Sequence, residues 1–164
     1  MALITPSASD PDSRQLMVPP PAAIAVDDDE AFRRHQARIM AELEVIGVPR
    51  YARATRAVRY LPYIIHPDEH LEAVVSGRET ALGGAILVST DRRIVFVVKR
   101  MFFLRDDEIG FRSVRGVSYM HSMISSCVVL HTQMGDYSVR TFNRRCADAF
   151  MKSIERHGLE GAGV

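Results

Sequence analysis

No apolar run in this 164-residue chain approaches the ~20 residues that a membrane-spanning helix needs, which argues against a helical membrane protein. Cysteine is scarce. Cys127 and Cys146 are the only two; they lack the spacing of metal ligands and both sit among apolar neighbours. A disulfide-stapled secreted scaffold is thereby set aside, and both thiols are expected as buried small hydrophobes in a reducing compartment. The opening "MALITPSASD" has neither the basic nor the long apolar segment of a signal peptide, so the expected location is the cytoplasm.

Catalytic signatures are missing as well. There is no G-x-S-x-G, no phosphate loop, no G-x-G-x-x-G and no paired-cysteine motif. The "SSC" at 125–127 has no identifiable base or orienting group beside it. His66 and His70 are four apart, but Pro67 makes a turn start of that stretch and no third metal ligand is near. His121 and His131 read as packed or surface groups. The arginines are scattered with few aromatics among them, which does not make a nucleic-acid surface. The expectation is a protein that is not an enzyme, with no cofactor, no metal and no small-molecule substrate.

What is there begins with uneven charge. Residues 1–30 carry six acids and one base, so the rest of a chain of net charge +1 holds a surplus of six positive charges. That bias permits an anionic partner without demanding one. Residues 1–26, with three prolines at 19–21, show no period and read as a disordered tail. Then "DDDEAFRRHQARIMAELEVIG" reads as a helix: Asp27 to Asp29 cap it, Phe32, Ile39, Leu43 and Ile46 make one stripe, and Gly47 and Pro49 end it. Arg33, Arg34, Arg38 and Glu42 are expected to face elsewhere. A second helix is read from residue 50, with Tyr51, Ala54, Val58 and Leu61 on one face and Pro62 bending or ending it.

After the turn "HPDEH" the texture changes to short strands, read at 71–76, 85–90, 94–98, 102–105, 111–119, 126–132 and 137–142. A final helix follows, capped by Asn143, with Cys146, Ala149, Phe150, Ser153 and Ile154 on one face and Gly158 at its end. The run "IVFVV" at 94–98 breaks the alternation of a half-wet strand. Ile94, Phe96 and Val98 point one way and Val95 and Val97 the other, so both faces need cover. The upstream helices are the favoured cover, with self-association second.

Seven strands closed by one amphipathic helix follow the plan of the pleckstrin-homology (PH) superfold. "GGAILVSTDRRIVFV", "FRSVRGVSYM" and "MGDYSVRTFNRRCADAFMKSIE" resemble the bacterial PH-like domains, especially the YokE-like group, over about residues 58–157. The segment Ser89-Thr90-Asp91-Arg92-Arg93 carries the resemblance most specifically. It implies a mainly β, α+β fold: a seven-stranded, partly closed β-barrel capped by a C-terminal α-helix and preceded by N-terminal helices. The chain then divides into a tail at 1–26, a helical extension at 27–65, the PH-like domain at 66–158 and a frayed end at 159–164. It also implies a binding module whose partner is another protein or a second copy. In the hairpin itself, Thr90 and Asp91 are expected to bond nearby amides; both arginines are read first as solvated, with a pairing of either to Asp91 or an adjoining carboxylate as the alternative.

Lys99, Arg100, Met101, Phe102 and Phe103, with Arg105, form the candidate binding surface. A basic and aromatic hairpin suits an anionic membrane: cations meet phosphates while phenylalanine enters the interface. The loop at 76–84 has Arg78 as its single base, so the basic first loop of phosphoinositide-binding PH domains is missing.

Overall fold

The computed structural model describes residues 25–80, 83–99 and 104–161. Residues 1–24, which make up most of the expected tail, lie outside the described residues, as do Arg100 to Phe103. Three helices lead: α1 (Ala25–Ile46), α2 (Arg50–Arg53) and α3 (Arg56–Ile64). Seven strands follow: β1 (Leu71–Thr80), β2 (Gly83–Thr90), β3 (Ile94–Lys99), β4 (Leu104–Ile109), β5 (Val114–His121), β6 (Ser126–Thr132) and β7 (Gly135–Thr141). Helix α4 (Arg144–Gly161) ends the chain. The strands form one antiparallel sheet in the order β4-β3-β2-β1-β7-β6-β5. Two meanders meet where β1 pairs with β7, at Arg78 opposite Arg140. β4 and β5 end the order and do not pair, so the sheet is not closed. This is a PH-like arrangement.

The strand β3 explains how the layers stack. Its residues 94–98 are all buried. Ile94, Phe96 and Val98 join Phe150 and Ile154 of α4 on the inner face of the sheet. Val95 and Val97 join Ile39 and Leu43 of α1 and Val58 and Leu61 of α3 on the outer face. The upstream helices therefore supply the second cover within one chain, and self-association is not needed for it.

A buried ion pair locks the two layers together. Glu69 is fully buried in the turn before β1. Arg93 donates to it twice, Nε to Oε1 and Nη2 to Oε2, each at 3.0 Å. The Thr90 hydroxyl (2.7 Å) and the His66 amide (3.1 Å) complete its shell. Arg93 also donates to the Ile64 carbonyl at the end of α3 and pairs with Glu108 of β4. Arg93 is thus a clamp and not the solvated turn residue expected; only Arg92, paired with Asp68 at 2.7 Å, is exposed. The rest of the turn behaves as read: Thr90 accepts from the amides of Arg92 and Arg93, and Asp91 accepts from that of His70.

Helix α1 begins at Ala25, so Asp27 to Asp29 lie inside it and not at its cap. Arg38 and Glu42 do not face away. Glu42 accepts from His70 Nδ1 and from the Leu71 amide, both at 2.9 Å, and is bonded by Arg38. Burial pushes the Glu42 carboxyl up, yet these bonds outweigh it and hold it below its usual value. The second helix splits in two. Thr55 caps α3 by accepting from the Val58 amide, Tyr51 and Ala54 are exposed, and Ala52 and Ala57 are buried instead. Pro62 lies inside α3 without ending it, because the next bond still forms from Ile65 N to Leu61 O. In α4, Asn143 caps as expected, through Cys146 N, but the helix runs past Gly158 to Gly161. Cys146 is buried, and burial pushes its thiol up, whereas Cys127 is half-buried; both are free.

Several strand boundaries move. The "DDEI" stretch, expected as a break, is the body of β4, where an edge strand carries charges at little cost. Phe111–Ser113 is a 3-10 turn ahead of β5. β1 continues through Gly77 to Thr80, and β2 starts at Gly83. Gly77 has a packing reason: a Cβ there would stand 2.0 Å from the Arg140 carbonyl oxygen. Gly77→Ala should weaken the β1–β7 junction by roughly 1–3 kcal/mol, read as a lower urea midpoint; an unchanged midpoint would contradict that close approach.

Candidate functional site

The two described members of the expected binding surface project to opposite faces. Lys99 is opposite Leu104, which packs with the outer cluster, while Arg105 is opposite Val98 of the inner one. Arg105 lines a cleft of about 190 Å³ at the end of the sheet that holds the β6–β7 turn. Its other polar walls are Glu79, Asp107, Asp136 and Tyr137, over a floor of Phe96 and Val98. Arg105 is bound to Asp107 through Nη2 at 3.0 Å and Nε at 3.3 Å. The Phe96 and Tyr137 rings meet edge-on at 5.0 Å. Burial first, and then the Asp107 charge, push the Tyr137 hydroxyl above its usual pKa. Among the described residues the cleft is lined by three carboxylates and one guanidinium, which Asp107 already holds.

The outer face carries what the cleft does not. Successive strand pairings set Lys99 opposite Gly84, Gly84 opposite Arg78 and Arg78 opposite Arg140. Three cations thus share one row, with only a glycine between them. Like charges directly opposite one another on a sheet are unfavourable. None of the three has an ion-pair partner among the described residues.

The two sheet edges differ. β4 carries Arg105, Asp106, Asp107 and Glu108, while β5 carries Arg115 and, at its end, His121. Met120 is exposed near the end of β5, Met123 and Ile124 in the hairpin beyond it, and Phe142 just after β7. Sequence reading passed over this hairpin as a polar break. A signal was there, since Met123 and Ile124 occupy a turn that ordinarily holds polar residues.

Ser118 and His131 Nε2 lie 2.8 Å apart, and His131 Nδ1 lies 3.0 Å from Asp136. The connectivity is that of a nucleophile relay, but the hydroxyl stands on the outer face, whereas Phe96 and Val98 line the cleft from the inner one. Among the described residues, no three side chains of His, Cys, Asp or Glu gather as metal ligands, and no helix is long and apolar enough to cross a membrane.

No protein-family model matches the chain, and no curated protein matches it. Among solved structures, the chain is similar to a DUF1696 family protein with a pleckstrin-homology domain from Shewanella loihica. The two are 11% identical with a TM-score of 0.42, over 61% of this chain and 91% of that one.

Proposed function

We propose that the chain is a non-catalytic binding module that works through protein contacts, first by pairing with a second copy along β5. The difference between the two edges carries this reading. A strand edge presents a row of amide and carbonyl groups ready for another strand, and natural edges are guarded by charge. β4 is so guarded and β5 is nearly bare. Two β5 edges meeting antiparallel about a two-fold axis form a self-complementary interface. Sedimentation equilibrium of the full chain should show a dimer. Ser118→Lys with Met120→Lys, both at half-buried or exposed positions, should return it to a monomer of native circular dichroism. A wild-type protein that stays monomeric at its highest soluble concentration would overturn the reading.

Finer placements belong to the same proposal. The tight turn at Thr90 to Arg93 supports grouping the chain with the YokE-like bacterial PH domains. Two free thiols support a cytoplasmic home. The shared outer cluster supports treating residues 27–65 as an integral cover of a PH-like domain at 66–158.

Contact with an anionic bilayer is the second reading, through Lys99, Arg100, Met101, Phe102 and Phe103. The row of Lys99, Arg78 and Arg140 favours it, because an anionic surface would relieve the repulsion within that row.

A further inference from the structure

We infer that the seat for an anionic bilayer is the corner where the β5–β6 hairpin meets the start of α4, at the opposite end of β6 from the acidic cleft. The inference rests on the bilayer reading and moves its site. Ser126 opposite Thr141 sets the root of the hairpin beside Phe142. Met123 is 99% exposed, Ile124 82% and Phe142 71%, and such a group of large apolar side chains in water marks a contact surface.

The hairpin tip is built to leave water. The Ser122 amide donates to the Ser125 carbonyl at 2.9 Å. The Ser122 hydroxyl donates to that carbonyl at 2.8 Å and accepts from the Ser125 amide at 3.1 Å. Polar groups satisfied within the turn are not stranded when Met123 and Ile124 enter a low-dielectric layer.

Cations flank the apolar tip. Arg140, Arg144 and Arg145 are exposed around Phe142 and have no ion-pair partner among the described residues. Residues 110–147 hold five arginines and a single carboxylate, Asp136, which pairs with His131. Arg144 and Arg145 also occupy the first turn of α4, which has no acid in it. Positive charge there works against the helix dipole, so its benefit lies outside the fold. Apolar side chains at the acyl boundary with arginines at the phosphate level are the composition of an interfacial anchor. A single-stranded nucleic acid would want several free aromatic platforms, whereas here, besides Phe142, Tyr119 is half-buried with its hydroxyl bonded to Ser126.

Sedimentation of the full chain with vesicles of phosphatidylglycerol and phosphatidylcholine in equal parts, against phosphatidylcholine alone, tests this. Retention should be confined to the anionic vesicles and fall with added salt. Arg144→Gln with Arg145→Gln should weaken it roughly five-fold for each charge removed. Met123→Ser with Ile124→Ser, at exposed positions that leave the fold intact, should weaken it comparably. Lys99→Glu should matter less than either. No retention would overturn both the bilayer reading and this site. Retention lost in Lys99→Glu but kept in the corner variants would overturn this site while sustaining the bilayer reading.

Discussion

Deleting residues 1–47 should leave the rest of the chain aggregating in place of folding to a dispersed species. The deletion removes α1 and with it Ile39 and Leu43, both fully buried on the outer face. Beneath them lie Val74, Ile86, Val88, Val95 and Val97, which would then face water or a neighbouring molecule. Each aliphatic side chain is worth about 1.5–3 kcal/mol on burial, so the two lost from α1 together contribute roughly 3–6 kcal/mol. Domains of this size have only about 5–15 kcal/mol in total. The bonds from Glu42 to His70 and Leu71, which hold the start of β1, go as well. Static light scattering and thermal unfolding of the truncated protein check this. A monomer that melts with the full chain would show that the helical layer is dispensable, and the account of β3 as a strand covered on both sides would fall.

Arg93→Ala should cost about 3–5 kcal/mol, because it leaves the Glu69 carboxylate buried without its charge partner. Two other groups that bond Glu69, the Thr90 hydroxyl and the His66 amide, remain, but they are neutral. Replacing both partners by methionine should recover most of the loss, since an apolar pair avoids the desolvation of two ions. Failure of that double variant to recover would show that the bonds from Arg93 to Ile64 and Glu108 matter more than the charge balance.

The same pair makes a prediction in pH. Burial alone would raise the Glu69 carboxyl, but the bonds from Arg93, Thr90 and the His66 amide and the Arg93 charge outweigh it and hold the group at about 2, against an ordinary 4.5. The folded state therefore binds this proton less readily than the unfolded one. Its contribution is complete above 4.5 and is lost as pH falls from there through about 2. Urea unfolding at a series of pH values should show the wild type losing stability over that window more steeply than Glu69→Gln. Parallel curves would mean that the pair does not carry the acid sensitivity.

Local pattern was enough for several elements. Strands β2, β3 and β6 start and end within a residue or two of their apolar runs, since alternation and turn chemistry act over neighbouring residues. Asn143 announced α4 because a cap needs only its own helix. The unbroken apolar run of β3 even stated a tertiary requirement, that something lie on each side. β4 was misplaced because its charges sit on an edge, where the half-wet pattern is weak. Arg93 was misread because its partner, Glu69, lies 24 residues away on another element.

Binding surfaces were the least legible. Lys99 and Arg105 looked like members of one hairpin patch, and strand parity sends them to opposite faces. The hydrophobic corner joins residues 120–124 to residues 140–145, which adjoin only because β6 pairs with both β5 and β7. The amino-acid order by itself determined the succession of helices and strands and the need of β3 for cover on both faces. Tertiary structure alone decided which charges meet, because strand register sets the face of every side chain and a slip of one residue would exchange the faces.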